Sequence, residues 1–442
     1  MSSDPVHVVG AGLAGCEAAW ALARAGLPVS LWEQKPRTSS PAHRLPGPAE
    51  LVCSNSLKSD DPDSAHGLLK AELRALGSIV LAAADEARVP AGTALAVDRA
   101  GLSQGVARRL AGLPGLELRA GEALEAPPAG EVVLATGPLT DGALAGWLRA
   151  RVGDGPLYFY DALAPIVSAD GLDLARLFAG SRWGQGGQGD YLNSPLDEPA
   201  YRRFVEALLA APRTPLHAFE AARYYEGCLP VEVMAERGPD TLAFGPMRPV
   251  GLEVDGRRPF AVVQLRAENL ARTAFNLVGF QTKLTQPAQR EVFRLLPGLE
   301  RAEFLRFGAV HRNLYVRSPE VLDDGLRLRA EPRVRLAGQI TGAEGYVESA
   351  AVGLLVGHLL AAERAGRRFE PPPAETALGA LYAHLRGRTG AQVFEPMNIH
   401  FGLLPHAPGR GKRARQAAAL LRARQAFAGW LAGQPLPGVG HA

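Results

Sequence analysis

Residues 6–33 read VHVVGAGLAGCEAAWALARAGLPVSLWE, and they decide the fold. An apolar run reaches Gly10, and Gly10, Gly12 and Gly15 follow in G-x-G-x-x-G register. An alanine-rich pattern of helical period comes next, and a second apolar run, PVSLW, ends at Glu33. Strand, glycine turn, helix, strand and terminal acid in that order make a βαβ unit whose turn seats a pyrophosphate on a helix N-terminus. Gly10 makes the turn, Gly12 lets the backbone approach the phosphates, and Gly15 lets the helix pack on the strand. Ala11, Leu13 and Ala14 complete the turn and join the candidate cofactor contacts. Glu33 falls roughly 20 residues on, where a carboxylate takes a ribose hydroxyl.

The rest of the composition narrows the class. The chain has 442 residues, room for two or three domains, and a formal net charge of only +3, which is no bulk nucleic-acid signature. The charge is uneven. After Glu395 there is no acidic residue, while Arg410, Lys412, Arg413, Arg415, Arg422 and Arg424 crowd the tail at a spacing that suits a helix with a basic face. Such a face attracts phosphates or is merely solvated. Only Cys16, Cys53 and Cys228 occur, which excludes a disulfide scaffold and points to a reducing cytosol. No charged leader precedes the first strand, and no apolar run approaches a membrane span, so a soluble cytoplasmic protein with no membrane partner is expected. The histidines are scattered without H-x-x-x-H spacing and no C-x-x-C occurs, so no metal site is expected.

Along the chain, the predicted organisation is a nucleotide fold in two pieces, residues 1–156 and 286–405. An inserted mixed α and β domain at 157–285 separates them, and a basic helical tail at 406–442 follows. A proline-rich loop follows the first βαβ unit, a helix is expected at about 64–76, and EVVLATGP reads as a buried strand ending in a turn at Thr136 and Gly137. In the insertion, RWGQGGQGDYLNSP is a glycine-rich loop flanked by Trp183 and Tyr191, and TLAFGP, PFAVVQLR and AFNLVGF read as short strands. RVRLAG then ends at Gly338, and GQITGAEGYVESAAVGLLVGHLLA continues as loop and helix, a second contact for the same dinucleotide.

Among reactive groups, Cys16 directly follows Gly15 on a helical apolar face and reads as a packed small hydrophobe. Cys53, in ELVCSNSLKS, and Cys228, in YYEGCLPVE, lie in loop contexts with Lys58 and Arg223 nearby, where thiolates serve as nucleophiles or as redox partners of a flavin. Glu344 and Tyr346 sit in the second glycine turn, where a tyrosine either stacks on a flat ring or caps the helix. Asp98 and Arg99 read as a capping acid and a surface arginine, or as contacts at the cofactor edge.

Taken together, VVGAGLAGCEAAW, PAHR, ELVCSNSLKS, ALAVDRAGLSQ, YYEGCLPVE, LVGFQTKL and AGQITGAEGYVESAA resemble the bacterial folate- and FAD-dependent tRNA uracil-5-methyltransferases. The resemblance runs from about residue 5 to about 405. A larger flavoprotein that modifies the tRNA wobble uridine shares the glycine turns but carries a helical extension for which this chain is too short. The resemblance implies a Rossmann-like FAD-binding domain of glutathione-reductase type interrupted by a smaller mixed α/β insertion. It implies methylation of uridine 54 in the tRNA T-loop, with methylenetetrahydrofolate as one-carbon donor, reduced FAD as reductant and NADH or NADPH regenerating the flavin. Cys53 and Cys228 become the nucleophile and the proton-handling group, in either order. Lys35, Arg44, Asn55, Thr136, Gly137, Gly338, Gln339, Glu344, Gly345, Tyr346 and Ser349 join the glycine turn and Glu33 as candidate FAD contacts. Two other readings remain open: a flavin-dependent thiol oxidoreductase using Cys53 and Cys228 as a dithiol, and an RNA-binding protein that keeps the flavin fold for structure alone.

Overall fold

Strand Val6–Val9 lies at the centre of a six-stranded sheet in the computed structural model, which describes residues 4–40, 42–153, 157–182, 190–215, 229–390 and 393–434. Val6 faces Val29 in the parallel strand Val29–Glu33, and Val8 faces Val133 in the parallel strand Val132–Leu134 on its other side. The sheet continues outward to Leu116–Ala120 on one edge and to Glu331–Leu336 on the other, both parallel, and ends in the antiparallel Arg327–Leu328. The chain thus turns in opposite directions on the two sides of Val6–Val9. That is the switch point outside whose carboxyl end such sheets bind ligands. Val132, Val133 and Leu134 are all buried because both faces of a parallel sheet are covered.

Helices Leu13–Arg24 and Tyr346–Arg364 pack against each other on this sheet. The approach is closer than most residues allow: a Cβ on Gly353 would lie 2.1 Å from the Ala14 carbonyl oxygen, and one on Gly357 would lie 2.7 Å from Ala21 Cβ. Because Gly353 meets Ala14 and Gly357 meets Ala18 and Ala21, the helices run parallel and the second begins about six residues, or about 9 Å, farther out. This second helix is long and apolar enough to cross a membrane, which the sequence reading missed. It is instead the core helix of the sheet, 83% buried over that window.

The second body is built on an antiparallel sheet of Phe178–Ala179, Tyr191–Leu196, Ala261–Ala267, Ala274–Leu277, Ile166–Ser168 and Phe304–Arg306, in that order. Tyr201, Phe204 and Leu208 of helix Glu198–Ala210 join Phe280 and Phe293 in its core. Two readings need correction here. TLAFGP holds a short helix, Thr241–Phe244, whose Leu242 is buried in this core; its apolar run is too short to carry a strand's alternation. The expected return to the nucleotide fold at 286 also comes too early. Helix Gln286–Phe293 turns Val292 and Phe293 into the second core, Leu296, Leu299 and Ala302 follow, and Phe304–Arg306 closes the second sheet. An antiparallel ribbon of Leu157–Ala162 and Val310–Tyr315 carries the chain between the bodies, and its Leu314 amide docks on the Pro138 carbonyl at 2.8 Å. A small third sheet, Ser56–Ser59, Ala94–Val97 and Arg88–Val89, flanks the loop that holds Cys53.

Candidate active site

Gly10 has φ +98°, and a Cβ there would strike the Ala135 carbonyl oxygen at 2.6 Å; one on Gly15 would lie 1.8 Å from the Gly10 carbonyl oxygen. Both positions therefore demand glycine. Gly12 differs, with nothing within 4 Å of its Cβ position, so its face is open to a ligand. Helix Leu13–Arg24 starts at Gly12 and helix Tyr346–Arg364 at Gly345, neither with a side-chain cap. Uncapped amides at a helix start suit an anionic group. Glu33 stands at the lip, its carboxylate accepting from the Ala11 amide at 3.0 Å and the Lys35 amide at 2.9 Å. Gly338 brings the second segment onto the first, since its Cβ would lie 2.7 Å from Ala14 Cβ and 3.9 Å from Ser349 Cβ. The cradle fits a dinucleotide phosphate.

Beyond the turn, where the second helix projects past the first, lies a cavity of about 380 Å³. Cys53, Ser54, Ser56 and Lys58 form one wall, and Gln339, Glu344, Tyr346 and Glu348 another. Asp161, His311 and Asn313 enter from the ribbon, Gln281 from the second body and Asn398 from a late loop. The half-buried Cys53 sits on a segment held from two sides. Its amide donates to Tyr346 Oη at 2.6 Å and the Ser54 amide to the same oxygen at 3.2 Å, while Arg99 donates to the Leu51 and Cys53 carbonyl oxygens. Arg99, Arg266 and Arg306 all lie within electrostatic reach of the Cys53 sulfur.

The cavity offers groups in distinct protonation states. Burial, then the charge of Asp161, pushes the Glu344 carboxyl up to about 8 against the pull of Lys58 and a 2.7 Å hydrogen bond from Gln339, so it is mostly protonated at pH 7. Glu348 is buried too, but His66 and Lys58 outweigh the burial and hold it below the usual carboxylate range. Its Oε1 lies 3.5 Å from His66 Nδ1 and accepts from the Ile399 amide at 3.1 Å. Burial, reinforced by Arg306, Arg44 and His43, drives His311 down to about 4, which leaves a neutral imidazole whose Nε2 is buried without a partner among the described residues. Burial and the nearby thiol raise the Tyr346 phenol, which stays protonated.

Of the residues expected from sequence, Cys53, Gln339, Glu344, Gly345 and Tyr346 meet at this cavity. Gly10, Ala11, Gly12, Leu13, Ala14, Gly15, Glu33, Gly338 and Ser349 gather at the turn. Thr136 and Gly137 lie at the carboxyl end of Val132–Leu134, where the Thr140 hydroxyl bonds both. Two side chains are committed elsewhere. The Lys35 ammonium spends its donors on the Leu45 and Gly47 carbonyls and on Glu50, anchoring the proline-rich loop, with none left for a cofactor. Asn55 is fully buried, donating to the Val97 and Ala267 carbonyls and accepting from Arg266 Nε at 2.8 Å, so it joins the two bodies. Arg44 is exposed on the loop, its amide on Glu50. Asp98 caps its helix through the Gly101 amide at 2.8 Å, as expected, but Arg99 is buried and paired with Glu268 rather than on the surface. Cys228 and Trp183 lie outside the described residues. The sequence reading missed Asp161, His311, Asn313, Gln281, Glu348 and Asn398 as cavity residues, because they come from separate elements with no shared spacing.

The family model described as glucose inhibited division protein A matches residues 5–368. The chain is 55% identical to the methylenetetrahydrofolate–tRNA-(uracil-5-)-methyltransferase TrmFO of Anaeromyxobacter dehalogenans (strain 2CP-C), covering 99% of each chain. The chain belongs to this family, in its TrmFO group. It is also 53% identical to the protein of that name from Paramagnetospirillum magneticum, over 96% of this chain and 98% of the relative, and 52% identical to that of Myxococcus xanthus, over 98% and 96%. The solved structure of Aquifex aeolicus GidA in its form I crystal superposes with a TM-score of 0.68 over 98% of this chain and 77% of its own, at 18% identity. That likeness establishes the shared fold of the family, an α/β Rossmann-type nucleotide fold with inserted sheets.

Proposed function

We propose that this chain methylates C5 of uridine 54 in the tRNA T-loop. Methylenetetrahydrofolate is the carbon donor, FAD the resident cofactor, and NADH or NADPH the reductant that restores it. The observation that carries the reading is the placement of Cys53, held by its backbone in the wall of a cavity that opens directly beyond the glycine turn. The names and near-full-length coverage of the relatives at more than 50% identity support the substrate and donor. When bound, reduced FAD supplies the two electrons that take the transferred carbon from the methylene to the methyl level.

The chain's own residues have four tasks. The open face at Gly12 and the amides at the two helix starts hold the pyrophosphate, and Glu33 takes a ribose hydroxyl. A thiolate adds at uracil C6, which turns C5 from a poor nucleophile into an enolate carbon. After the new C5–carbon bond forms, a base takes the C5 proton as the folate nitrogen leaves that carbon, and the sulfur–C6 bond breaks once the carbon has reached the methyl level. Cys53 and Cys228 divide these roles, with Cys228 as nucleophile. In support, Val231, three positions past Cys228, donates its amide to the carbonyl of Gln281, which lines the cavity. Protonated Glu344 and neutral His311 offer polar contacts to a heterocycle without burying a net charge beside it. The stacked T-loop base must be extruded to reach them, with phosphates gripped outside the cavity. The four basic residues before and in the first turn of helix Lys412–Ala432, Arg410, Lys412, Arg413 and Arg415, are exposed and suit that grip. The unpaired thiols of Cys16 and Cys53 and a tRNA substrate support a cytoplasmic location.

The test is incubation with unmodified tRNA, methylenetetrahydrofolate and NADH or NADPH, with 5-methyluridine measured at position 54. Product that requires the folate supports the reading. A thiol–disulfide activity without methylated tRNA replaces it with the oxidoreductase alternative.

A further inference from the structure

The loop that carries Cys53 is bonded to the second body through groups that the chemistry above does not use. Arg99 Nε donates to Glu268 Oε2 at 2.7 Å, and the same guanidinium holds the Leu51 and Cys53 carbonyl oxygens. Glu268 directly follows strand Ala261–Ala267 of the second body, its amide bonded to the Ala274 carbonyl at 2.9 Å. Two residues beyond Cys53, Asn55 donates to Ala267 O at 2.9 Å and accepts from Arg266 Nε at 2.8 Å. Asn55, Arg266 and Glu268 are all buried. Burial works against the charge on Arg99, but Glu268 outweighs it and raises the guanidinium above its ordinary range. Three consecutive residues of one strand end therefore set the position of residues 51–55. Gln281, the cavity residue of the second body, follows Ala274–Leu277, the strand paired to that one.

We propose that Arg99 is a positioning residue: with Glu268, and beside the Asn55–Arg266 joint, it registers the Cys53 loop against the second body, so that Cys53 and the tRNA-side wall keep one spacing. A displacement of the second body is carried to the thiol through the guanidinium. The proposal rests on the methylation reading for its effect on turnover, but not for its effect on the thiol itself.

The test uses the flavin-loaded full chain and three variants: Glu268→Gln, Arg99→Lys, and the exchange Arg99→Glu with Glu268→Arg. The rate of Cys53 alkylation by iodoacetamide is read by peptide mass, and kcat and KM for tRNA are measured alongside. Glu268→Gln and Arg99→Lys should alkylate Cys53 about tenfold faster or more, the effect of losing one charged hydrogen bond. Their kcat should fall on the order of a hundredfold, with KM for tRNA changing far less. The exchange restores opposite charges but puts a carboxylate opposite the Leu51 and Cys53 carbonyls, so kcat stays low. Wild-type Cys53 alkylation in both Glu268→Gln and Arg99→Lys, or recovery of wild-type kcat by the exchange, would overturn the positioning role. Absence of methylation by the wild type would remove the functional reading, while the alkylation rates would still decide the positioning claim.

Discussion

Replacing Tyr346 by Phe removes one oxygen and keeps the ring. That oxygen is the common acceptor for the Cys53 and Ser54 amides, at 2.6 and 3.2 Å. A buried donor left without a partner costs about 1–3 kcal/mol, and the shorter Cys53 bond carries most of the loss. Arg99 still holds the carbonyl side of the same segment, so the loop loosens without detaching and the loss stays local. A cost of that size makes the local opening about ten- to a hundredfold more frequent. Hydrogen exchange followed by mass spectrometry should therefore show faster exchange at residues 53 and 54, with the sheet strands unchanged. Flavin content should be retained, and single-turnover methylation should slow by about ten- to a hundredfold as the thiol loses its fixed position. Wild-type protection of the 53 and 54 amides in Tyr346→Phe would refute the reasoning, because it would mean that the phenol does not hold the loop.

Other perturbations test separate parts of the account. Gly353→Ala forces a methyl against the Ala14 backbone and should cost about 1–3 kcal/mol with partial loss of flavin, read by thermal melting and absorbance; a neutral effect would contradict the close helix packing. Glu344 has its carboxyl raised from the ordinary 4.5 to about 8 in the folded protein, so the folded state binds its proton more tightly and wild-type stability is lost as pH rises through that window. Glu344→Gln should accordingly gain stability relative to wild type between about pH 4.5 and pH 8, with no further gain above, in urea midpoints at pH 5, 7 and 9; a relative gain that shrinks over that range would have the wrong sign. Neutralising Arg413 and Arg415 should weaken tRNA binding most at low salt and reduce the salt slope by roughly 1.5–2, whereas an unchanged slope would remove the tail from the RNA surface.

The glycine fingerprint was readable because its demands are local. A positive φ at Gly10 and a 1.8 Å Cβ clash at Gly15 leave few residues that fit. Glu33 follows from the length of one helix and one strand, and Cys53 and Tyr346 from motifs longer than any single turn. Asn55 was misread, and the surface alternative for Arg99 failed, because their partners, Ala267, Arg266 and Glu268, lie far along the chain, 212 residues away for the Asn55–Ala267 bond. Lys35 was misread because a cation beside a phosphate turn and a cation that ties down a loop have the same sequence context. The basic tail was half legible. Arg422 is spent on the carbonyls of Pro405 and His406, and Arg424 on Pro62 and Asp63. Helical period alone does not distinguish these arginines, bonded to other segments of the chain, from those at the helix start.

The central claim is that this cavity joins a folate carbon to uridine through the cysteine pair. Its most direct measurement is 5-methyluridine at tRNA position 54, formed with isotope-labelled methylenetetrahydrofolate by the wild type and by Cys228→Ala. The account predicts labelled 5-methyluridine from the wild type, and from Cys228→Ala full flavin content without product. Full methylation by Cys228→Ala would contradict the nucleophile assignment, and unlabelled or absent product from the wild type would contradict the proposed reaction.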